Sequence, residues 1–121
     1  MIVKRIVPNL VVSDLARAKT FYKDVLGLEL AMDLGWIATM ASSAAAQPQV
    51  NLTSESTGGD VPALSVEVDD LDEVLQRAHA HGVVIEYGPK IEEWGVRRFY
   101  IRDPFGRLLN ILAHIDEPVE Q

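Results

Sequence analysis

Apolar and polar positions set two different periods along this chain. From Ile6 to Val12 the pattern fits a strand, and beyond it Leu15, Ala18, Tyr22, Val25 and Leu26 fall on one stripe of a helix. Ser13 or Asp14 supplies the N-cap and Gly27 the stop. Short apolar runs then predict strands over residues 28–32, 36–41 and 49–53. The second half repeats this order. A strand over 63–68 leads into Asp70, which with Glu73 three residues on forms a capping-box signal before a helix carrying Leu71, Val74, Leu75 and Ala78 and ending at Gly82. Strands over 83–87, 97–102 and 108–113 complete it. Each half therefore reads βαβββ. Val12-Ser13-Asp14-Leu15 and Val68-Asp69-Asp70-Leu71 open the two helices alike, which points to an internal duplication.

Residues 54–60, Ser-Glu-Ser-Thr-Gly-Gly-Asp, are polar and glycine-rich enough for a linker between modules at about 1–55 and 61–115. At 121 residues and 48% hydrophobic content the chain is expected to be a single folded domain, with a fold class of α+β.

One hairpin can be read in register. Asp103-Pro104-Phe105-Gly106 suits a type I turn: Asp at the first position, Pro presetting φ at the second, and Gly106 free to take the left-handed conformation of a bulge. Asp103 then faces Arg107. Phe99 and Ile101 share an oily side with Leu109 and Ile111, while Arg98, Tyr100 and Arg102 share a mixed side with Leu108, Asn110 and Leu112.

Composition narrows the chemistry. There is no cysteine, which removes disulfides, thiol nucleophiles and thiolate metal sites. A formal charge of -7, from 11 basic against 18 acidic residues, argues against a nucleic-acid partner. The apolar stretch behind Lys4 and Arg5 is broken by Pro8 and Asn9, so it suits a strand and neither a signal peptide nor a membrane span, and a cytoplasmic location is the expectation. No Gly-x-Ser-x-Gly and no phosphate loop is present; Gly58-Gly59 lacks a following Lys and helix.

Val11-Val12-Ser13-Asp14-Leu15 with Phe21-Tyr22-Lys23-Asp24-Val25-Leu26-Gly27-Leu28, the Asp69-Asp70-Leu71 helix start with Gly82 after it, and Asp103-Pro104-Phe105-Gly106 before a last strand together resemble the vicinal oxygen chelate superfamily. That superfamily includes glyoxalase I, extradiol dioxygenases, fosfomycin-resistance enzymes and bleomycin-binding proteins. The resemblance implies two βαβββ modules whose curled mixed sheets enclose a cavity, in a glyoxalase-like fold commonly completed as a homodimer. In metal-using relatives it also implies one ligand, usually His, Glu or Gln, on the first and on the last strand of each module. Aligned on Asp14, the Leu52 region, Asp69 and Asp103, those positions fall on Val7, near Asn51, on Ala63 and on Asn110. Two are aliphatic and the others are uncharged amides, a set that does not hold a divalent first-row ion. Asn9, Gln49 and Ser65 lie two residues away on the same strand faces, and Glu67 two beyond Ser65. No metal and no cofactor is therefore expected.

The remaining polar groups describe a recognition surface. Asn9, Asn51 and Asn110 donate and accept hydrogen bonds, Arg98 adds a fixed cation, and Trp36, Trp94 and Tyr100 supply flat apolar area. Packing is the competing role for the tryptophans, and an ion pair with Glu92 or Glu93 for Arg98. His79 and His81 lie two apart near a helix end and point in different directions, as surface residues do. His114 shares the Asn110 face, and it and Glu67 are the candidate catalytic bases. The expectation is a metal-independent binder of a small organic ligand, with antibiotic sequestration of the bleomycin-binding type its most concrete form and an anionic or neutral metabolite the other. The alternatives are a metal-dependent lyase or dioxygenase resembling glyoxalase I, a metal-free isomerase, and a domain that pairs with another protein.

Overall fold

Ten elements follow in the order β1 (Val3–Val11), α1 (Leu15–Asp24), β2 (Glu29–Asp33), β3 (Ile37–Ala41), β4 (Gln49–Thr53), β5 (Leu64–Val68), α2 (Leu71–Ala80), β6 (Tyr87–Ile91), β7 (Val96–Arg102) and β8 (Leu108–His114) in the computed structural model, which describes residues 1–44, 48–54 and 60–115. The class is α+β. The chain groups into two compact units, Val7–Ala63 and, separately, Met1–Ile6 with the chain from Leu64 onward. The first six residues thus belong with the second unit, a division that the helix and strand pattern alone does not show. Most of the expected linker lies outside the described residues.

In the first unit the strands run β2-β3-β4-β1, with β1 and β4 parallel and the other pairs antiparallel. In the second they run β6-β7-β8-β5, with β5 and β8 parallel. The order is the same in both, so the duplicated pattern extends to strand pairing.

Each helix covers one face of its own sheet. Asp14 caps α1 by accepting from the Arg17 amide at 3.0 Å, and Asp70 caps α2 by accepting from the Glu73 amide at 3.0 Å. Glu73 does not close the expected capping box; its carboxylate is taken by Arg77 at 2.7 Å and the Met1 ammonium at 3.3 Å. Leu15, Ala18 and Tyr22 of α1 pack on Met40, Val50 and Leu52. Val25 and Leu26, expected on that stripe, are exposed, because the helix ends at Asp24 and the chain turns through Gly27 at φ +72°. Leu71, Val74 and Leu75 of α2 join Val68, Phe99 and Ile111 in the second core.

The expected strand over 83–87 is displaced to Tyr87–Ile91. Val83, Val84 and Ile85 have strand-forming side chains, but the turn at Glu92 to Gly95 decides the pairing: the Glu92 amide donates to the Val96 carbonyl at 2.8 Å and the Gly95 amide to the Glu92 carbonyl at 3.1 Å. A hairpin partner must lie directly before its turn. The 103–106 turn has the expected form, with the Asp103 amide donating to the Arg107 carbonyl at 2.9 Å and Asp103 Oδ1 accepting from the amides of Phe105 and Arg107. Across β7 and β8, Phe99 lies opposite Ile111, Tyr100 opposite Asn110 and Arg102 opposite Leu108, the register read from the sequence.

Candidate functional site

The candidate polar residues resolve into four groups, one in the first unit and three in the second. In the first, parallel pairing puts Asn9 beside Asn51, and antiparallel pairing puts Thr39 on the other side of Asn51. Thr39 Oγ1 donates to Asn51 Oδ1 at 2.6 Å, Asn51 Nδ2 to Asn9 Oδ1 at 2.6 Å, and Asn9 Nδ2 to the Pro62 carbonyl at 3.0 Å. Both ends of the Asn51 amide are therefore committed to the fold. Trp36, in the same unit, serves through its backbone: its carbonyl accepts from Thr53 Oγ1 at 3.2 Å and the Ser54 amide at 3.1 Å.

The second group occupies the equivalent place in the second unit. Ser65 lies opposite Asn110 in the β5/β8 register, and Asn110 Nδ2 donates to Ser65 Oγ at 3.1 Å. Asn110 Oδ1, closed off from solvent, has no hydrogen-bond partner among the described residues. An enclosed acceptor left in this state costs on the order of 1–3 kcal/mol. These pairings set Asn9 opposite Asn51 and Ser65 opposite Asn110 across the first and last strands of each unit. Val7, two residues before Asn9 on the same strand, is a buried core residue, and Ala63 precedes β5.

The third group is an ion pair wrapped in rings. Arg98 Nε donates to Glu92 Oε2 at 2.7 Å, and Tyr87 OH donates to the same oxygen at 2.5 Å. The guanidinium carbon stands 5.3, 5.2 and 5.2 Å from the ring centres of Tyr87, Trp94 and Tyr100. Burial pushes the Glu92 carboxyl up, but the Tyr87 hydroxyl and the Arg98 charge outweigh it and hold the group below the usual carboxylate range. Arg98 is driven the other way: burial disfavours its charge, and Glu92 more than restores it. Burial keeps the Tyr100 hydroxyl protonated to higher pH. The ion pair with Glu92 that was one of the roles open to Arg98 in the sequence is present, with Trp94 packed on it.

Glu67 centres the fourth group. Buried on β5, it meets the Arg5 guanidinium, lies 3.7 Å from Lys4 Nζ and 2.8 Å from His114 Nδ1. Burial raises its carboxyl, and the bonds from His114 and Arg5 pull it below the ordinary value. The carboxylate engages one ring nitrogen, Nδ1, of His114, whose ring is half-exposed. Sequence reading found His114 and Glu67 separately but not as a pair, because 47 residues separate them. Thr39, Tyr87 and Arg5 went unnoticed as site residues; the one local signal was a threonine in the middle of the apolar run Ile37-Ala38-Thr39-Met40-Ala41.

The donors at the four strand positions are three carboxamides and a hydroxyl, all uncharged, with the Asn9 and Asn51 amides bonded to each other. Such a set does not fit a divalent first-row ion, which is held by imidazole, carboxylate or thiolate. Among the described residues no three of His, Asp and Glu come together as a metal cluster. A surface groove of about 230 Å³ lies away from all four groups, lined by Val83, Val84, Glu86, Arg102, Asp103 and Pro104. Among the described residues no helix is long and apolar enough to cross a membrane.

Comparison with known proteins agrees with this architecture. The profile of the Glyoxalase/Bleomycin resistance protein/Dioxygenase superfamily matches residues 3–111. Among solved structures, a methylmalonyl-CoA epimerase from Mycobacterium tuberculosis is similar at 23% identity and a TM-score of 0.67, over 93% of this chain and 87% of that one. A glyoxalase/bleomycin resistance protein/dioxygenase superfamily member from Vibrio splendidus 12B01 is similar at 20% identity and a TM-score of 0.65, over 92% and 98%. A hypothetical protein from Methanosarcina mazei gives 20% and 0.72 over the whole of both chains. At these identities the likeness is one of fold. No curated protein sequence matches significantly.

Proposed function

The chain belongs to the glyoxalase/bleomycin resistance protein/dioxygenase superfamily, and from that premise we propose that it is a metal-independent binder of a small organic molecule. The observation that carries this reading is the uncharged donor set at Asn9, Asn51, Ser65 and Asn110, in which hydrogen-bonding capacity stands where ion-binding charge would be needed. Sequestration of an antibiotic is one use of such a protein. The mechanism would then be exclusion of the ligand from its target, with no bond made or broken.

The test combines two measurements. Elemental analysis of the purified protein is expected to find zinc, nickel, manganese and iron well below stoichiometry, with no loss of melting temperature in EDTA. A thermal-shift screen against glycopeptide and quinone antibiotics and common metabolites is expected to find a stabilising compound, since a ligand at about 100 times its Kd adds about 2.7 kcal/mol to the native state. A stoichiometric metal whose removal abolishes ligand binding would overturn the proposal.

A second reading, a metal-free isomerase, is favoured by one contact, His114 Nδ1 to Glu67 Oε2 at 2.8 Å. A carboxylate-oriented imidazole is a competent proton acceptor. Recovery of a bound compound unchanged after long incubation supports the binder; its conversion by the native protein but not by His114→Gln supports the isomerase.

A further inference from the structure

We infer that the surface groove of the second unit seats the Phe105 ring of a second copy of this chain, in a two-fold pairing that sets each Phe105 into the other copy's groove. This surface lies apart from the four polar groups, so the inference is independent of the binding reading above. Size comes first. The groove holds about 230 Å³ and is lined by the apolar Val83, Val84 and Pro104 and the charged Glu86, Arg102 and Asp103. Sites for whole organic ligands span about 300–1,000 Å³, whereas a cavity of about 150 Å³ already takes one benzene ring. The volume suits a single aromatic side chain.

Such a ring stands on the groove's own rim. Phe105 directly follows Pro104 and is 82% exposed, and Val84 on the groove wall is 72% exposed. The turn has no use for an aromatic at this position. It is braced without one, by Asp103 Oδ1 accepting from the amides of Phe105 and Arg107 at 2.9 Å each, the Gly106 amide donating to the Asp103 carbonyl at 3.0 Å, and Arg102 donating to the Gly106 carbonyl at 2.9 Å. A ring presented on a braced backbone loses little freedom when it is buried. A knob and a hole on one patch meet the condition for an isologous contact, in which both copies use the same surface. Charge agrees with a second copy as the occupant. The whole chain carries a formal charge of -7, yet this rim is balanced, with Glu86 answered by Arg102 at 2.9 Å and Asp103 by Arg107 at 3.5 Å. Two copies therefore meet here without local repulsion, while a strongly charged partner finds no counter-charge. Two rings and the walls they cover bury roughly 500–800 Å² in total, below the roughly 1,200 Å² of a stable complex, so the dimer is weak and depends on concentration.

The experiment follows the amide resonances of ¹⁵N-labelled native protein on dilution from about 1 mM to about 10 μM. Shifts are expected at residues 83–86 and 102–107, with intermolecular contacts between the Phe105 ring and the Val84 methyls in a mixed-isotope sample. Phe105→Ser and Val84→Asp, both at exposed positions, should keep the fold and each weaken this association at least about tenfold. Mixing the two variants tests the geometry: labelled Phe105→Ser keeps a groove and unlabelled Val84→Asp keeps a ring, so the groove amides should shift on mixing although neither variant associates alone. Shifts that are absent on dilution or confined to other surfaces, an association that survives Phe105→Ser, or a silent mixture would overturn the inference. So would groove shifts on adding N-acetylphenylalaninamide with none on self-dilution, a result that gives the groove to the aromatic side chain of another protein.

Discussion

Replacing Arg98 with methionine isolates the ion pair that the second unit wraps in aromatic rings. The two side chains are only 16% and 8% exposed, so solvent screens the pair little. Removing the cation leaves the Glu92 carboxylate enclosed with Tyr87 as its one remaining named donor. Breaking a buried pair from one side costs about 3–5 kcal/mol, to which the lost attraction of the guanidinium for three rings belongs and from which methionine's contacts with the same rings subtract. A net loss of about 3–4 kcal/mol is expected. For a domain of this size that lowers the melting temperature by roughly 10–15 °C.

The pH dependence gives the loss its signature. In the native protein the folded Glu92 carboxyl sits below its unfolded value, so its contribution is complete above the unfolded range near 4.5 and disappears only as pH falls through the depressed folded value. In Arg98→Met burial acts with much less opposition and raises that carboxyl. The variant then pays at neutral pH for a charged group and recovers as the pH falls toward 4, so the gap to the native protein narrows. Urea unfolding followed by circular dichroism at pH 7 and pH 4.5 measures both effects. Adding Glu92→Gln to Arg98→Met should recover about 2 kcal/mol at pH 7. A single-variant loss below about 1 kcal/mol, or a double variant no better than the sum of its parts, would refute the reasoning.

Two further expectations concern neighbouring features. An alanine at Gly88 would place its Cβ 2.5 Å from the Arg98 carbonyl at φ +79°, whereas one at Gly27, at φ +72°, meets nothing within 4 Å. Gly88→Ala should therefore cost about 2–4 kcal/mol against about 1 kcal/mol for Gly27→Ala in the same unfolding assay; equal losses would mean that the β6 backbone moves aside freely. Glu67→Gln should cost about 1–2 kcal/mol at pH 7, discounted for the partial exposure of Arg5 and His114. Because the native carboxyl is depressed, that difference should shrink as pH falls below the ordinary glutamate range, and a difference that grows in acid would reverse the assignment.

What the sequence made legible was local. The helices carry their caps, Asp14 and Asp70, within one turn of where they begin, and the β7/β8 register follows from four consecutive residues at the turn. What escaped depended on partners far along the chain. The parallel β5/β8 register, which sets Ser65 against Asn110 and Glu67 against Leu112, has no turn to announce it, since parallel strands are joined by long crossovers. Without that register His114 was judged without the carboxylate that holds it. The displaced β6 fell to the opposite error, in which the strand-forming side chains of residues 83–85 outweighed a turn whose hydrogen bonds fix the pairing eight residues later.

The duplicated pattern places like residues in equivalent registers and leaves them in different energetic states. In the first unit Thr39 reaches Asn51, and the row Thr39, Asn51 and Asn9 runs on to the Pro62 carbonyl, so each amide gives and receives. In the second unit the place of Thr39 beside the amide is taken by Tyr100, whose ring packs at a tilt against Tyr87 and flanks the Arg98 pair, and the Asn110 oxygen goes unanswered among the described residues. A hydroxyl on a short, branched side chain closes a strand-to-strand hydrogen bond; a phenol carries its hydroxyl past the neighbouring strand's amide. The exchange of threonine for tyrosine at one strand position therefore turns a saturated structural row into a row with one acceptor to spare. It follows that Tyr100→Thr should move the second unit toward the state of the first. That change trades lost ring packing against a newly satisfied amide, and in urea unfolding Tyr100→Thr is expected to lose less stability than Tyr100→Ala. A Tyr100→Thr variant no more stable than Tyr100→Ala would show that the ring is not what leaves the Asn110 oxygen without a partner.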